Sequence, residues 1–462
     1  MGGGFAGGPA PGVRRRYPRR LLASLAVAIG VAVIFPRAGV AAEGDVLWTR
    51  TLEGTAGTVS PQGNKVSGVA LDSLGNICVT GTVTVTGNGV NIWVAKFDPA
   101  GNQLWSRTFA GTVFPLGSNT SAGGNDIAVG DADNLYVVGR YFEGSGSGGF
   151  NGFLMKITAS GDGPPVWSVT QNGSFNSADA YNGVAWDPLA AAVYVTGYET
   201  QTSGSGNLVI RRYTPAGAVV WTRTDTGPGA FGDIGQGIAV HPSGDLIVAG
   251  KRMASGADAR GWVMRIPANG SASLCSVDFA GTAVSNNNTG FRVSLVSNPA
   301  SMAYVAGRVV NAGQVEDGFL GQFNCATGAM VWSRTINING VNQFDELMAV
   351  AGEPSGSVFA GGDISPDVTA QADIWVGKFD FYGNLLWTRT FGAAPLANEF
   401  CNGLALAADG SLYAGGQQDA DYPVQVRNSK AWIRKYAPGG AGACAPAITV
   451  RALNPEPLYA AG

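Results

Sequence analysis

Short runs of five to eight residues rich in Val, Ile, Tyr, Trp and Thr alternate along the chain with clusters of Gly, Asn, Asp and Pro. No apolar stripe recurs at a spacing of about 3.6 residues, so the pattern predicts strands and tight turns, with almost no helix after the first 42 residues. The pattern also repeats. A Trp stands at 48, 105, 167, 221, 332 and 387, with Cys275 where a Trp is due, and the gaps run 57, 62, 54, 54, 57 and 55 residues. One structural unit is therefore copied along the chain with small insertions.

Each unit offers four strands. Segments such as GVALDSLGNICVTGT (68 to 82) supply the first two, and segments such as NIWVAKFDPAGNQLWSRTF (91 to 109) supply the last two. The chain starts with an isolated LWTRT (47 to 51), a fourth strand without its first three, and the unit from about 402 to 437 has three strands and no fourth. Joining the two ends removes an exposed sheet edge. The expected result is an all-β ring of seven four-stranded antiparallel units, closed by the N-terminal strand.

The recurring text A-V/L-D-x-x-G-N-x-Y-V-x-G followed by W-V-x-K-F-D-x-x-G-x-x-L-W-S/T-R-T-F resembles the bacterial SBBP-type β-propeller repeat family over about 45 to 437. The resemblance implies a seven-bladed propeller and says little about activity. The fifth unit departs from it: FRVSLVSNPASMAYVAGR lacks the turn Asp and Gly, and Gln322 replaces the basic residue found at Lys96, Lys156, Arg212, Arg265, Lys378 and Lys435.

Residues 1–42 read separately. Five Arg between 14 and 20 precede an apolar run from Leu21 to Phe35, and Val40, Ala41 and Ala42 form a small-residue cleavage pattern. This is the layout of a signal peptide, so the protein is expected to be exported to the periplasm, cell surface or medium, with no membrane span after cleavage and the mature chain starting near Glu43. Residues 43–437 would form the propeller, and 438–462, rich in Ala, Gly and Pro, a tail with a possible strand at Ile448 to Leu453.

Without 1–42 the chain holds 23 basic and 32 acidic residues, a net charge of −9, and no Lys or Arg cluster. Nucleic acid is not an expected partner. Five Cys, at 78, 275, 325, 401 and 444, leave pairing open; Cys275 and Cys444 were placed in the Trp column, and Cys78 with Cys401 is a candidate pair if the first and last units are neighbours.

Residue types that return in every unit report shared packing, so function belongs to what does not repeat. Ten of the eleven Trp fall in two columns and read as core, the basic column as structural, and Asp72 with Asn76 as turn chemistry rather than calcium ligation. The single His, His241, reads as a turn residue. No phosphate loop, dinucleotide fingerprint or zinc spacing appears, and the Ala-, Val-, Leu- and Gly-rich first strands lack the polar lining a quinone cofactor needs. No cofactor or metal is expected.

The two kinds of connection lie on opposite faces, one short and regular, the other long and different in each unit, as at 110 to 124 and 417 to 429. On the variable face the entry to the first strand carries Asn125, Asn182, Gln236, Glu346 and Asn402 at one matching position, with Ser67 and Phe291 completing the column. Asp179, Tyr181, Arg260, Asp345 and Tyr422 stand in or beside the loops. These residues are the candidate site of a non-catalytic module that recognises an extracellular protein or glycan; the alternative is a polysaccharide hydrolase or lyase using loop-face carboxylates.

Overall fold

The computed structural model describes residues 41–439 except 55–62, 88, 110–121, 143–148, 176, 203–204, 227–231, 256–257, 284–286, 296–300, 314, 338–343, 366–371, 393–397 and 420–428. Residues 1–40, where a signal peptide is expected, Tyr422, Cys444 and residues 440–462 lie outside the described residues. Within them, strands β1 (Val46–Leu52) to β28 (Ser429–Tyr436) form seven four-stranded antiparallel sheets, and the one helical element is a 3-10 turn, Asp131–Asp133.

The sheets are successive blades: blade 1 spans 65–109, blade 2 122–171, blade 3 180–225, blade 4 234–279, blade 5 289–336 and blade 6 346–391. Blade 7 takes three strands from 399–436 and its fourth from β1, with Trp48 opposite Lys435 as Trp105 is opposite Lys96. First strands of neighbouring blades pack against each other around the whole circle, including blade 7 against blade 1. The protein is a closed seven-bladed β-propeller. The fifth blade is complete despite its divergent text.

One contact explains the recurring motif. The fourth-strand Trp of each blade lies on the positive-φ Gly in the turn between the third and fourth strands of the next: Trp48 on Gly101, Trp105 on Gly161, Trp167 on Gly217, Trp221 on Gly270 and Trp332 on Gly383. Its indole N–H donates to a carbonyl of that turn, of Pro99, Ala159, Pro215, Ala268 and Phe381 in the same order, at 2.9–3.3 Å. Arg50, Arg107 and Arg334, two residues on, donate Nε to the Gly carbonyls of the same turns. Only Gly leaves the indole room, and only Gly takes that φ without strain.

The seam where the chain ends meet reproduces this turn without a covalent link. Gly44 (φ 78°) lies under Trp387, its N–H donates to the Ala437 carbonyl at 3.1 Å, and Ala437 N–H donates to Asp45 at 2.8 Å. Trp48 fills the Trp column of blade 7. The basic column is structural as well: Lys96 pairs with Asp72 at 2.7 Å, and Gln322 in blade 5 keeps the inter-blade half of that role by donating to Phe381 O at 3.1 Å.

Cys78, Cys275, Cys325 and Cys401 are free thiols in the structure. Cys78 packs toward blade 2 and Cys401 toward blade 6, in separate clusters, so the strand pleat turns the sulfurs of the expected Cys78–Cys401 pair away from each other. Among the described residues no helix is long and apolar enough to cross a membrane.

Candidate functional site

The first strand of every blade carries a β-bulge near its variable-face end. The extra residue is Ser67, Asn125, Asn182, Gln236, Phe291, Met348 or Asn402, so the polar column is a bulge column. Glu346 does not belong to it. In blade 6 the bulge falls at Met348, two residues on, because Glu346 pairs with Asp363 as Phe400 pairs with Gln417.

The amides of this column staple blades together. Asn125 donates to Tyr181 O at 3.0 Å, Asn182 to Gly235 O at 2.9 Å and Asn402 to Val66 O at 2.8 Å; each acceptor immediately precedes the next blade's bulge residue. The position after the bulge is Gly68, Gly183, Gly237, Ala349 or Gly403 in five blades, but Asp126 in blade 2 and Arg292 in blade 5. Arg292 reaches across the axis and donates to the carbonyls of Asn182, Gln236 and Asn125 at 3.2, 2.9 and 3.0 Å, with Asp126 Oδ1 at 3.9 Å. Burial raises the Asp126 carboxyl, against the pull of Arg292. The guanidinium plugs the channel beside a cavity of about 140 Å³.

Asp179 and Asp345 also turn out to repeat. The residue at the strand entry is Asn64, Asp179, Asp233, Asn288 or Asp345, and each accepts a backbone N–H about twenty residues on: Thr84, Thr200, Met253, Val310 and Ser365, at 2.6–3.1 Å. Mixed Asn and Asp usage hid one acceptor role. Tyr181 is 1% exposed, with its hydroxyl between Tyr213 and Arg211, so it is core rather than contact surface. Arg260 is exposed and pairs with Asp258 at 3.2 Å. His241 holds a turn: its Nδ1 is 2.8 Å from Ser243 Oγ, which in turn bonds Asp245.

The column one step inside the entry does vary, together with its partner on the second strand. The pairs are Lys65 with Thr82, Gly123 with Arg140, Ala180 with Tyr198, Ile234 with Lys251, Thr289 with Arg308, Glu346 with Asp363, and Phe400 with Gln417. Two charged zones result. Around blades 4–6, Arg308 binds both Glu316 (2.7 Å) and Glu346, and Lys251 reaches Glu316 through Asn287. Burial raises Glu346 to about 7, with the neighbouring Glu316 charge adding to it, raises Asp345 to about 7, and holds Asp363 well above the usual carboxylate value. Asp345 and Asp363 are 2% and 3% exposed, so these acids face the protein rather than a substrate.

The second zone, around blades 7, 1 and 2, is open and cationic. A cavity of about 250 Å³ is lined by Lys65, Arg140, Asn125, Thr82, Gln417 and Phe150. Gly63, Ala122 and Gly123 complete its wall. Lys65 makes no ion pair with a described residue, and burial, then the Arg140 charge, lowers its ammonium below the ordinary lysine value. Arg140 lies 4.6 Å from the Phe150 ring centroid. Two cations share one cavity with no acid among its described lining residues, an arrangement that an incoming anion would relieve. Of the polar column, only Asn125 lines it.

No protein-family model matches the chain, and no curated protein matches it. Similar solved structures include one titled "Structure of U3-55K" (14% identity, 84% of this chain and 99% of that chain, TM-score 0.51). Others are the WD40 domain of Toxoplasma gondii coronin (11%, 69% and 77%, TM-score 0.40) and Trypanosoma rangeli sialidase in complex with the inhibitor DANA (11%, 73% and 57%, TM-score 0.42). At these identities the likeness is one of fold.

Proposed function

We propose that the chain is an exported, non-catalytic binding module that takes one acidic sugar residue of an extracellular glycan into the cavity over blades 7, 1 and 2. The observation that carries this reading is the juxtaposition of Lys65 and Arg140 on a cavity with no acid among its described lining residues. A carboxylate or sulfate would meet both cations, hydroxyls would meet the amides of Asn125 and Gln417, and the apolar ring face would lie near Phe150. At about 250 Å³ the cavity is below the roughly 300–1,000 Å³ of drug-sized sites, which suits a single residue or chain end.

The test is calorimetric titration of the secreted protein with a uronic acid, its neutral parent sugar and an acidic peptide. Binding of the uronic acid alone, lost in Lys65→Ala and Arg140→Ala, supports the reading; equal binding of the neutral sugar sinks it, and binding of the peptide alone replaces the glycan with a protein partner. Affinity should fall as pH rises through the lowered Lys65 value, because only the ammonium attracts the anion. N-terminal sequencing of the secreted form should start near Glu43.

The hydrolase or lyase alternative draws on Glu346, half-buried and raised to about 7, a value suited to a general acid. Product release from a polysaccharide, abolished by Glu346→Gln, would put it first.

A further inference from the structure

The inter-blade contact is altered at one seam, where one cysteine replaces the Trp donor and a second cysteine carries the acceptor carbonyl. In blade 4 the fourth-strand Trp is replaced by Cys275, the first residue of its strand (Cys275–Phe279). In the blade 5 turn, the residue whose carbonyl receives the indole N–H elsewhere, occupied by Pro99, Ala159, Pro215, Ala268 and Phe381, is Cys325. Cys275 Sγ sits 3.7 Å from the Cys325 carbonyl oxygen, so the contact keeps its geometry with sulfur in place of indole. Gly328, the positive-φ Gly of that turn, lies against the Cys275 Cβ as its counterparts lie against Trp rings. Both cysteines pack into the same blade 4–5 cluster.

A lone Trp-to-Cys change would leave a cavity where an indole packs elsewhere. Two cysteines at the two touching positions of one contact, in a ring whose other described contacts use neither, form a matched replacement. Both thiols are free in the structure. We infer that on oxidation Cys275 and Cys325 form a disulfide that locks blade 4 to blade 5 in place of the Trp contact.

Cys275 is half-buried and Cys325 is 1% exposed, so Cys275 is the thiol an oxidant reaches first. The oxidant class is a thiol-exchanging disulfide, such as an oxidoreductase of the export compartment or oxidised glutathione. The Cys275 thiolate attacks that disulfide and expels one thiolate. The Cys325 thiolate then attacks the Cys275 sulfur of the mixed disulfide and expels the second. The two protein thiols are oxidised, the external disulfide is reduced to two thiols, and the protons lost by the cysteines are taken up by the two leaving thiolates. Burial raises both thiols, Cys325 to about 12, so the exchange should be slow at neutral pH and faster at pH 8.5.

The experiment equilibrates the full chain with oxidised and reduced glutathione, blocks free thiols under native and then denaturing conditions, and maps peptides without reduction. A Cys275–Cys325 linked peptide is expected, with Cys78 and Cys401 blocked only after denaturation. Reductant should lower the thermal midpoint of the wild-type protein and leave Cys275→Ser and Cys325→Ser unmoved. Recovery of both cysteines as free thiols after oxidation, or linkage of either to Cys444, overturns the inference. Folding of the serine variants is checked by far-UV circular dichroism, and a reductant-insensitive wild-type midpoint overturns the inference whether or not they fold.

Discussion

Replacing Asp345 by Asn should stabilise the protein, and chiefly above neutral pH. Asp345 is 2% exposed, accepts the Ser365 N–H at 2.7 Å and has a carboxyl raised from 3.8 to about 7 by burial, with Asp317 adding to the rise. Between those values the folded protein keeps a proton that the unfolded chain has released. Stability is therefore lost as pH climbs from about 4 to about 7, and the loss is complete above that. At roughly 1.4 kcal/mol per pKa unit, the full rise is worth up to about 4 kcal/mol. An amide keeps the acceptor and carries no charge. The same column already uses Asn64 and Asn288, whose Nδ2 groups donate to Ser429 O at 2.9 Å and Ala259 O at 2.8 Å. In blade 6 the matching acceptor is Glu316 O, which the Asp345 N–H already reaches at 2.9 Å. Urea unfolding at pH 5 and pH 8.5 decides the matter: the gain of Asp345→Asn over wild type should be about 2–4 kcal/mol at pH 8.5 and less than half of that at pH 5. A variant less stable than wild type at pH 8.5, or a gain that does not change with pH, would refute the electrostatic argument. Asp345→Ala should lack the benefit, because the buried Ser365 N–H then has no acceptor, at a cost of about 1–3 kcal/mol.

Asn402→Ala removes the staple to Val66 O across the closing seam and should lower the urea-derived stability by about 1 kcal/mol. Gly217→Ala and Gly313→Ala both force a side chain onto positive φ, but a Cβ at 217 also meets the Trp167 ring at 2.9 Å while nothing lies within 4 Å of one at 313. Thermal unfolding should show a loss of about 1–2 kcal/mol at 313 and clearly more at 217. Arg292→Met leaves Asp126 without its cation and three carbonyls without their donor, and should cost about 3–5 kcal/mol. Adding Asp126→Asn should recover part of that, a coupling that a double-mutant cycle measures.

The fold was legible because one contact is built the same way at nearly every seam. A Trp needs a Gly beneath it, that Gly needs a tight turn, and the turn fixes the spacing, so the text W-S/T-R-T with an upstream Gly repeats in five of the seven blades. Even the closure could be read, since an unpaired LWTRT at the start has one place to go. The site was read less well, for two physical reasons. A bulge adds one residue to one strand, so alternation alone does not say which residues face the axis beyond it. Blade 6 lacks both the bulge amide (Met348) and the following Gly (Ala349), and without those marks the acidic pair Asp345 and Glu346 drew the alignment two residues off.

The second reason concerns what counts as repeating. Asp179 and Asp345 look individual in the sequence, where other blades carry Asn, yet the column keeps one acceptor oxygen rather than one residue type. Lys65, Arg140, Asp126 and Arg292 escaped notice because their meaning is relative: each stands where most blades hold a small or apolar residue, and this shows only after the first strand is aligned with its partner strand. The same comparison gives Cys275 and Cys325 their weight. Either cysteine alone is a local substitution; together they occupy both sides of the one contact that defines the ring, so the repeat serves as the protein's own control. Departures that come singly at a shared position point to ligand chemistry, as at Lys65 and Arg140, whereas departures that come in touching pairs point to a contact rebuilt by other means.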